Sequence, residues 1–242
     1  MIAIIGVSED DILYFKAKMQ IKEEISLFGG VDAYVGSIYR EEVVLCAVGE
    51  SNYRSAMISS ILLDRFDPYL VFTIGTCYSF KRELRQGDIL IVDRIYFAGI
   101  NYTAEHRDVH YGQIPGEPPF YVGDIELNDR AEREAYLVTQ RYIQRGYLLT
   151  GDRFYGTAKE VNETLTRHYL LEEGMRAYDN SSGGIALACH QKNVPTINIR
   201  AVALEIGNPD QRLNWRRKGL EAMPTIGKII TRIVLEGGNE EG

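Results

Sequence analysis

Three segments of the chain are largely apolar. Such runs predict strands that are buried on both faces. They are Met1–Val7, Tyr69–Ile74 and Thr196–Val202, and a further long strand is predicted at Asp88–Phe97. Shorter strands are predicted at Ala33–Tyr39 and Glu42–Val48, which form a hairpin-like pair, and at Tyr147–Thr150 and Met175–Asp179.

Helical periodicity separates these strands. Ser8 precedes the acidic run 9–11, a pattern typical of a helix N-cap with carboxylates in the first turn. Further helices are predicted at Tyr53–Phe66, Asn128–Arg145, Lys159–His168, Gly184–His190 and Arg217–Leu235. The glycine-rich, acidic end, 236–242, is predicted to fray. We find no linker, so we expect 1–242 to form a single domain.

Alternating strands and helices predict an α/β fold with a largely parallel or mixed sheet. Ligands of such sheets bind beyond the carboxyl ends of the strands. Those ends are Gly6–Asp11, Val48–Asn52, Gly75–Ser79, Gly151–Tyr155, Asp179–Ser182 and Ala203–Gly207.

Composition narrows the class of protein further. The 242 residues are 45% hydrophobic and 25% charged, which is typical of a globular domain, and the net charge of −7 argues against nucleic acid as the partner. We expect no membrane span and no signal peptide. Cys46, Cys77 and Cys189 are widely spaced in apolar surroundings. They predict reduced core thiols and therefore a cytoplasmic protein.

Several common site motifs are missing. The chain has no GxGxxG, no GxxxxGK[ST] and no GxSxG, so it lacks the dinucleotide, P-loop and hydrolase-elbow signatures. His106 and His110 are four residues apart without a second cluster, and we interpret them as part of a solvated loop. We expect neither a metal nor an organic cofactor.

Several segments together resemble the nucleoside phosphorylase/nucleosidase superfamily, in its 5′-methylthioadenosine/S-adenosylhomocysteine nucleosidase branch. YGQIPG (111–116) and TGDRFY (150–155) are the most specific of them. Framework segments in the same order are IAIIGVSEDDI (2–12), DPYLVFTIGTCYS (67–79), QGDILIVD (86–93), AYDNSSGGIALAC (177–189) and NVPTINIRAV (193–202). The resemblance implies a three-layer α/β/α sandwich around a central mixed sheet. It also implies a homodimer, with Tyr111–Pro119 near the interface.

The resemblance assigns roles to particular residues. Asp11 matches the family's Glu that positions the attacking water, with a side chain one methylene shorter. The alternative is that Asp11 only belongs to a solvated acidic helix start. Phe154 matches the aromatic residue that stacks on the purine, and Tyr155 beside it is expected to line the same pocket. The alternative is a core aromatic at a strand end. Val48, Gly49 and Thr76 are expected to line the substrate pocket.

The sequence departs from the family at three places. In the run Asp179-Asn180-Ser181, Ser181 replaces the Glu that holds the ribose hydroxyls. Leu204 stands where the family has the Asp that protonates the departing base. Glu205, next to it, replaces that acid only if the loop shifts by one residue, since neighbours on a strand point to opposite sides. The segment Gly75–Ser79 replaces a smaller, glycine-rich loop of the family, and Tyr78 in it is expected to fill part of the cavity that a substrate would use.

Phosphorylases of the superfamily bind phosphate through arginines, and Thr73 and the acidic run 9–11 occupy those positions here. Water is therefore the expected nucleophile. We predict hydrolysis of the N-glycosidic bond of an adenosine-type nucleoside. Two alternatives stay open: a protein that binds a nucleoside or another small molecule without cleaving it, and an altered substrate read by Tyr78, Arg153, Asp179 and Asn180.

Overall fold

The computed structural model describes residues 1–81, 83–106, 108–211 and 213–237. Its strands are β1 Ile2–Gly6, β2 Gln20–Ser26, β3 Asp32–Ile38, β4 Glu41–Ala47, β5 Leu70–Ser79, β6 Ile89–Phe97, β7 Tyr121–Val122, β8 Ile143–Thr150, β9 Met175–Asp179 and β10 Thr196–Glu205. Its helices are α1 Glu9–Lys16, α2 Asn52–Phe66, α3 Ile125–Val138, α4 Ala158–His168, α5 Ser182–Lys192, α6 Trp215–Leu220 and α7 Met223–Gly237. A 3-10 turn covers Pro209–Gln211.

Strand β5 joins an open sheet to a closed ring of strands. Its first half pairs with β1, which continues through β4, β3 and β2. Its second half pairs with β9, and on its other side it pairs with β10. Because β10, β6, β8 and β9 pair in succession, these four strands and β5 form a small barrel. The end of β5 therefore lies where open sheet and barrel meet.

Helices cover both faces of this mixed sheet. One face packs on α1, α3 and α7 through residues such as Ile4, Phe72 and Ile199. The opposite face packs on α2 and α5, where Ile5 and Cys46 meet Leu62 and Ile185. The predicted three-layer α/β fold with a central mixed sheet is confirmed. Cys46, Cys77 and Cys189 are buried free thiols, as predicted.

Some predicted boundaries were wrong. The helix expected over Asn128–Arg145 ends at Val138, and Ile143 already begins β8, where it pairs with Ile89 of β6. The predicted closing helix is divided into α6 and α7, because the helix is interrupted at Glu221 and Ala222, ahead of Pro224. Strand β2 was not predicted. It is an exposed edge strand rich in charge, so it carries no apolar pattern.

The end of the chain is described only in part. Residues 236 and 237 are the last two of α7, and 238–242 lie outside the described residues, so the frayed end expected for 236–242 stays a prediction. None of the described helices has the length and apolar character needed to span a membrane.

Candidate active site

A buried ion pair lies beneath the carboxyl ends of the strands. Arg200 on β10 is fully buried, and its Nε lies 3.1 Å from Asp179 Oδ2 at the end of β9. Ser182, the first residue of α5, accepts from Arg200 Nη2 at 2.7 Å and donates to Asp179. A Cβ at Gly75 would lie 3.0 Å from Arg200 Nη1, so the glycine makes room for the guanidinium. Three strands and one helix thus hold this charge in place.

Asp11 is buried at the start of α1, with 3% of its surface exposed. Its Oδ2 accepts hydrogen bonds from the backbone N–H of Ser8 at 2.7 Å and from Ser8 Oγ at 3.0 Å, a capping-box arrangement. Burial raises the pKa of Asp11, and the Ser8 hydrogen bonds and the positive charge of Arg200 offset part of that rise. Asp11 is therefore not the solvated residue of the alternative interpretation.

Asp11 keeps one oxygen available. Its Oδ1 receives no hydrogen bond from the part of the chain that the structure describes. A buried carboxylate of raised pKa with a free acceptor is suited to hold a water molecule and to take a proton from it.

A cavity of about 270 Å³ opens at the same edge of the sheet. Its walls combine aromatic rings with polar groups. The lining residues are Glu50, Ser51, Tyr78, Asp152, Arg153, Phe154, Tyr178 and Asn180. This size is near the lower end for small-molecule sites, which run from about 300 to 1,000 Å³.

Phe154 is the aromatic wall of this cavity. The residue is 59% exposed, and its ring packs edge-on against Tyr78, with centroids 5.3 Å apart. Phe154 is therefore not a core aromatic residue. Tyr155 points elsewhere: it is buried against Tyr178 and its hydroxyl contacts Thr164. The structure thus brings Phe154, but not Tyr155, to the cavity.

The three residues of the predicted ribose run divide between two environments. Asn180 lines the cavity. Asp179 and Ser181 are buried, and Asp179 is engaged by Arg200 and Ser182. The Ser181 hydroxyl is buried without a hydrogen-bond partner among the described residues. Asp179 consequently serves the buried ion pair.

Leu204 and Glu205 point to opposite sides of β10. Leu204 packs in a buried cluster with Tyr78 and Tyr178. The Glu205 carboxylate accepts from Gln211 Nε2 at 2.9 Å and lies 3.4 Å from the backbone nitrogen of Gln86. Gln211 also accepts from the Glu205 backbone N–H at 2.7 Å. Glu205 is therefore held away from the residues that line the cavity.

The other three predicted lining residues lie near the cavity but not on it. Val48 is buried and its carbonyl accepts from Arg54 Nε. Gly49 lines a neighbouring groove of about 470 Å³ that also contains Glu9 and Arg216. Thr76 packs against Gly219 of α6.

Sequence reasoning missed several residues of the site. Asp152 lines the cavity and accepts from the backbone N–H of Asn52 at 2.9 Å. Its position after Gly151 at a strand end was a usable signal. Trp215, whose ring meets Tyr78 at 5.8 Å, comes from a distant segment that no local pattern connects with β5.

A mixed sheet with a buried carboxylate and an aromatic-walled cavity at its carboxyl edge defines an α/β protein that binds a small molecule there. Residues 1–234 match the model of the Phosphorylase superfamily, so the chain belongs to that family. The predicted resemblance is thereby confirmed.

Curated relatives extend over most of the chain. A 5′-methylthioadenosine/S-adenosylhomocysteine nucleosidase of Anoxybacillus flavithermus is 31% identical over 97% of this chain and 98% of its own length. A protein of the same name from Listeria monocytogenes is 29% identical over 88% of this chain and 90% of its own.

Solved structures agree on the fold. The nucleosidase of Neisseria meningitidis, in complex with methylthio-immucillin-A, has a TM-score of 0.86 and 24% identity, covering 96% of this chain and 97% of its own. Futalosine hydrolase of Helicobacter pylori has a TM-score of 0.84 at 21% identity, covering 97% of both chains.

Proposed function

We propose that this protein hydrolyses the N-glycosidic bond of an adenosine-type nucleoside, as the names of its curated relatives indicate for them. The observation that supports this most is the buried Asp11, with one free carboxylate oxygen, at the edge of the sheet that carries the Phe154 cavity. The site residues named below are part of the proposal.

In the proposed reaction, the base stacks on Phe154 and Asn180 lies beside the sugar. The C–N bond breaks through an oxocarbenium-like sugar, and its electron pair leaves with the base. Water held by Asp11 attacks the anomeric carbon, and Asp11 takes the water's proton. The base gains a proton as it departs. The sequence assigned that proton to Glu205, and this role stays a prediction.

Water rather than phosphate is the proposed nucleophile. Thr73 and the acidic run 9–11 occupy the positions where the superfamily's phosphorylases have arginines. Arg54 and Arg216 do line the neighbouring groove, but Glu9, Asp32 and Glu50 line it too. A phosphate dianion there would meet at least as much negative charge as positive, which opposes its binding.

The experiment is an assay of free adenine from methylthioadenosine and S-adenosylhomocysteine, with and without phosphate. We expect release that does not depend on phosphate and yields the free sugar. Release only with phosphate would contradict hydrolysis. Asp11→Asn should abolish most of the release, whereas the exposed neighbour Asp10→Asn is the matched control.

A second candidate function is binding of a nucleoside without cleavage. It is favoured by Leu204 at the position of the family's acid and by the orientation of Glu205 toward Gln211. Nucleoside that raises the melting temperature without adenine release would support this candidate, since a ligand stabilises the folded state it binds. If the nucleoside is not cleaved and does not raise the melting temperature, both candidates are contradicted.

We also propose a cytoplasmic homodimer built from one domain per chain, 1–242. Tyr53 and Met57 of α2 are exposed, and Tyr53 borders an apolar cavity of about 410 Å³ that reaches Ile114 in the predicted interface loop, 111–119. Apolar surface of this kind is typical of subunit interfaces. Sedimentation that gives a monomer at micromolar concentration would contradict the dimer.

A further inference from the structure

Tyr78 lies directly across from the position that lacks an acid. In the parallel pairing of β5 with β10, Tyr78 is the Cα partner of Leu204. A bulge between Val202 and Leu204 inserts Ala203 and shifts the register, so that Tyr78 and Leu204 enter the same buried cluster. The phenol of Tyr78 therefore lies in the same part of the site as Leu204, whose side chain cannot donate a proton.

The ring of Tyr78 is fixed by its neighbours. It is 8% exposed and meets Phe154 and Trp215 in edge contacts, with centroids 5.3 and 5.8 Å away. Aromatic contacts of this geometry favour one orientation of the ring. A base stacked on Phe154 would consequently lie beside a tyrosine of fixed position.

The hydroxyl of Tyr78 differs from those of the neighbouring buried tyrosines. Tyr178, Tyr169 and Tyr96 all donate to an oxygen: the Gly151 carbonyl, the Phe97 carbonyl and the Glu172 carboxylate. The Tyr78 hydroxyl has no such partner within the described residues, and it is not sealed from solvent. Tyr78 is one of the residues that line the 270 Å³ cavity, so a ligand in that space would lie next to this side chain.

The ring of Tyr78 is buried, but its hydroxyl is open to solvent and unpaired within the described residues, so it is available to donate to a ligand. We propose that Tyr78 donates this hydrogen bond to a ring nitrogen of the departing base, in place of the acid that Leu204 lacks. The proposal rests on the nucleosidase function above.

The proposed step balances without an additional reagent. The electron pair of the C–N bond moves onto the base, and the O–H of Tyr78 stabilises the negative charge that develops on it. Tyr78 keeps its proton, because burial raises the pKa of the phenol. The base is protonated by solvent as it leaves, and the proton lost by the attacking water passes through Asp11 to solvent.

The test compares Tyr78→Phe with the wild-type protein on two substrates. One is methylthioadenosine, and the other is a nitrophenyl riboside, whose leaving group departs without a hydrogen bond. For the nucleoside, kcat should fall by about 10- to 100-fold with KM little changed, which is the effect of losing one hydrogen bond to a charged group. For the nitrophenyl riboside, kcat should change less than about twofold.

Other outcomes overturn the proposal. An unchanged kcat for the nucleoside shows that the hydroxyl is not needed, and an equal loss on both substrates shows a structural role. Tyr78→Gly tests obstruction of the pocket: a rise in nucleoside turnover contradicts the donor role, and a fall at least as large as that of Tyr78→Phe supports it. A wild-type protein that cleaves neither substrate overturns the nucleosidase function itself, a result distinct from the loss of the Tyr78 role alone.

Discussion

The two sides of the candidate site are built differently. On one side, buried hydrogen bonds join Arg200, Asp179 and Ser182. On the other side, Tyr78 and Phe154 present an unpaired hydroxyl and a half-exposed ring to a cavity. The ionic side makes most of its hydrogen bonds within the protein, although Arg200 Nη1 has no hydrogen-bond partner among the described residues. The aromatic side leaves more contacts open for a ligand. Changes on the ionic side should therefore affect stability first, and changes on the aromatic side should affect ligand binding first.

The largest effect is expected from Arg200→Met. It leaves the Asp179 carboxylate buried without its cation, which costs about 3–5 kcal/mol of the free energy of unfolding. Urea denaturation measures this loss. The control is Arg153→Met, which removes an exposed pair with Glu160 at 3.1 Å and should cost far less, because solvent screens exposed ion pairs. Equal costs would contradict the distinction between buried and exposed charge.

Asp11→Asn should separate activity from stability. Loss of the water-holding carboxylate should lower kcat/KM by about 10²-fold or more. The raised pKa of Asp11 means that the folded state binds its proton more tightly than the unfolded state does. Asp11 therefore contributes stability at low pH, and this contribution is lost as pH rises through the folded-state pKa.

The variant should thus be at least as stable as the wild type at neutral pH. Its advantage should shrink as pH falls toward the ordinary carboxyl range near 4. Denaturation at several pH values checks this, with Asp10→Asn as the control. The stability difference between variant and wild type is compared at neutral and at acid pH. If the variant loses more at neutral pH than at acid pH, the hydrogen bonds from Ser8 to the Asp11 carboxylate outweigh the cost of its burial.

Phe154→Ala tests the aromatic side. Stacking of a base on an aromatic ring is worth about 1–3 kcal/mol, so KM for the nucleoside should rise about 10-fold while stability changes little. The half-exposed ring has little packing to lose. Tyr155→Phe, which removes only the hydroxyl near Thr164, should leave KM unchanged. If KM rises more for Tyr155→Phe than for Phe154→Ala, Tyr155 and not Phe154 is the aromatic residue that contacts the base.

The start of α1 was easier to predict from the sequence than the contacts that fix the aromatic side. Ser8 and Asp11 follow a buried strand directly, so local capping rules place them. The bulge at Ala203 and the approach of Trp215 to Tyr78 depend on pairing between distant segments. No local pattern encodes such contacts, which is why the sequence suggested Glu205 as a neighbour of Leu204 but could not show Tyr78 across from it.

The smallest effect is expected from Glu205→Gln. The Glu205 carboxylate accepts from Gln211 and faces Gln86, and a glutamine oxygen can keep the acceptor role. If Tyr78 is the donor to the base, kcat should change less than about twofold, well below the 10²- to 10⁴-fold effect of a general acid. A fall of tenfold or more, measured beside Tyr78→Phe on the same nucleoside, would instead return the acid role to Glu205. The loop that carries Gln211 would then have to move in the substrate complex. The two variants together decide whether a residue of β5 or of β10 donates to the departing base.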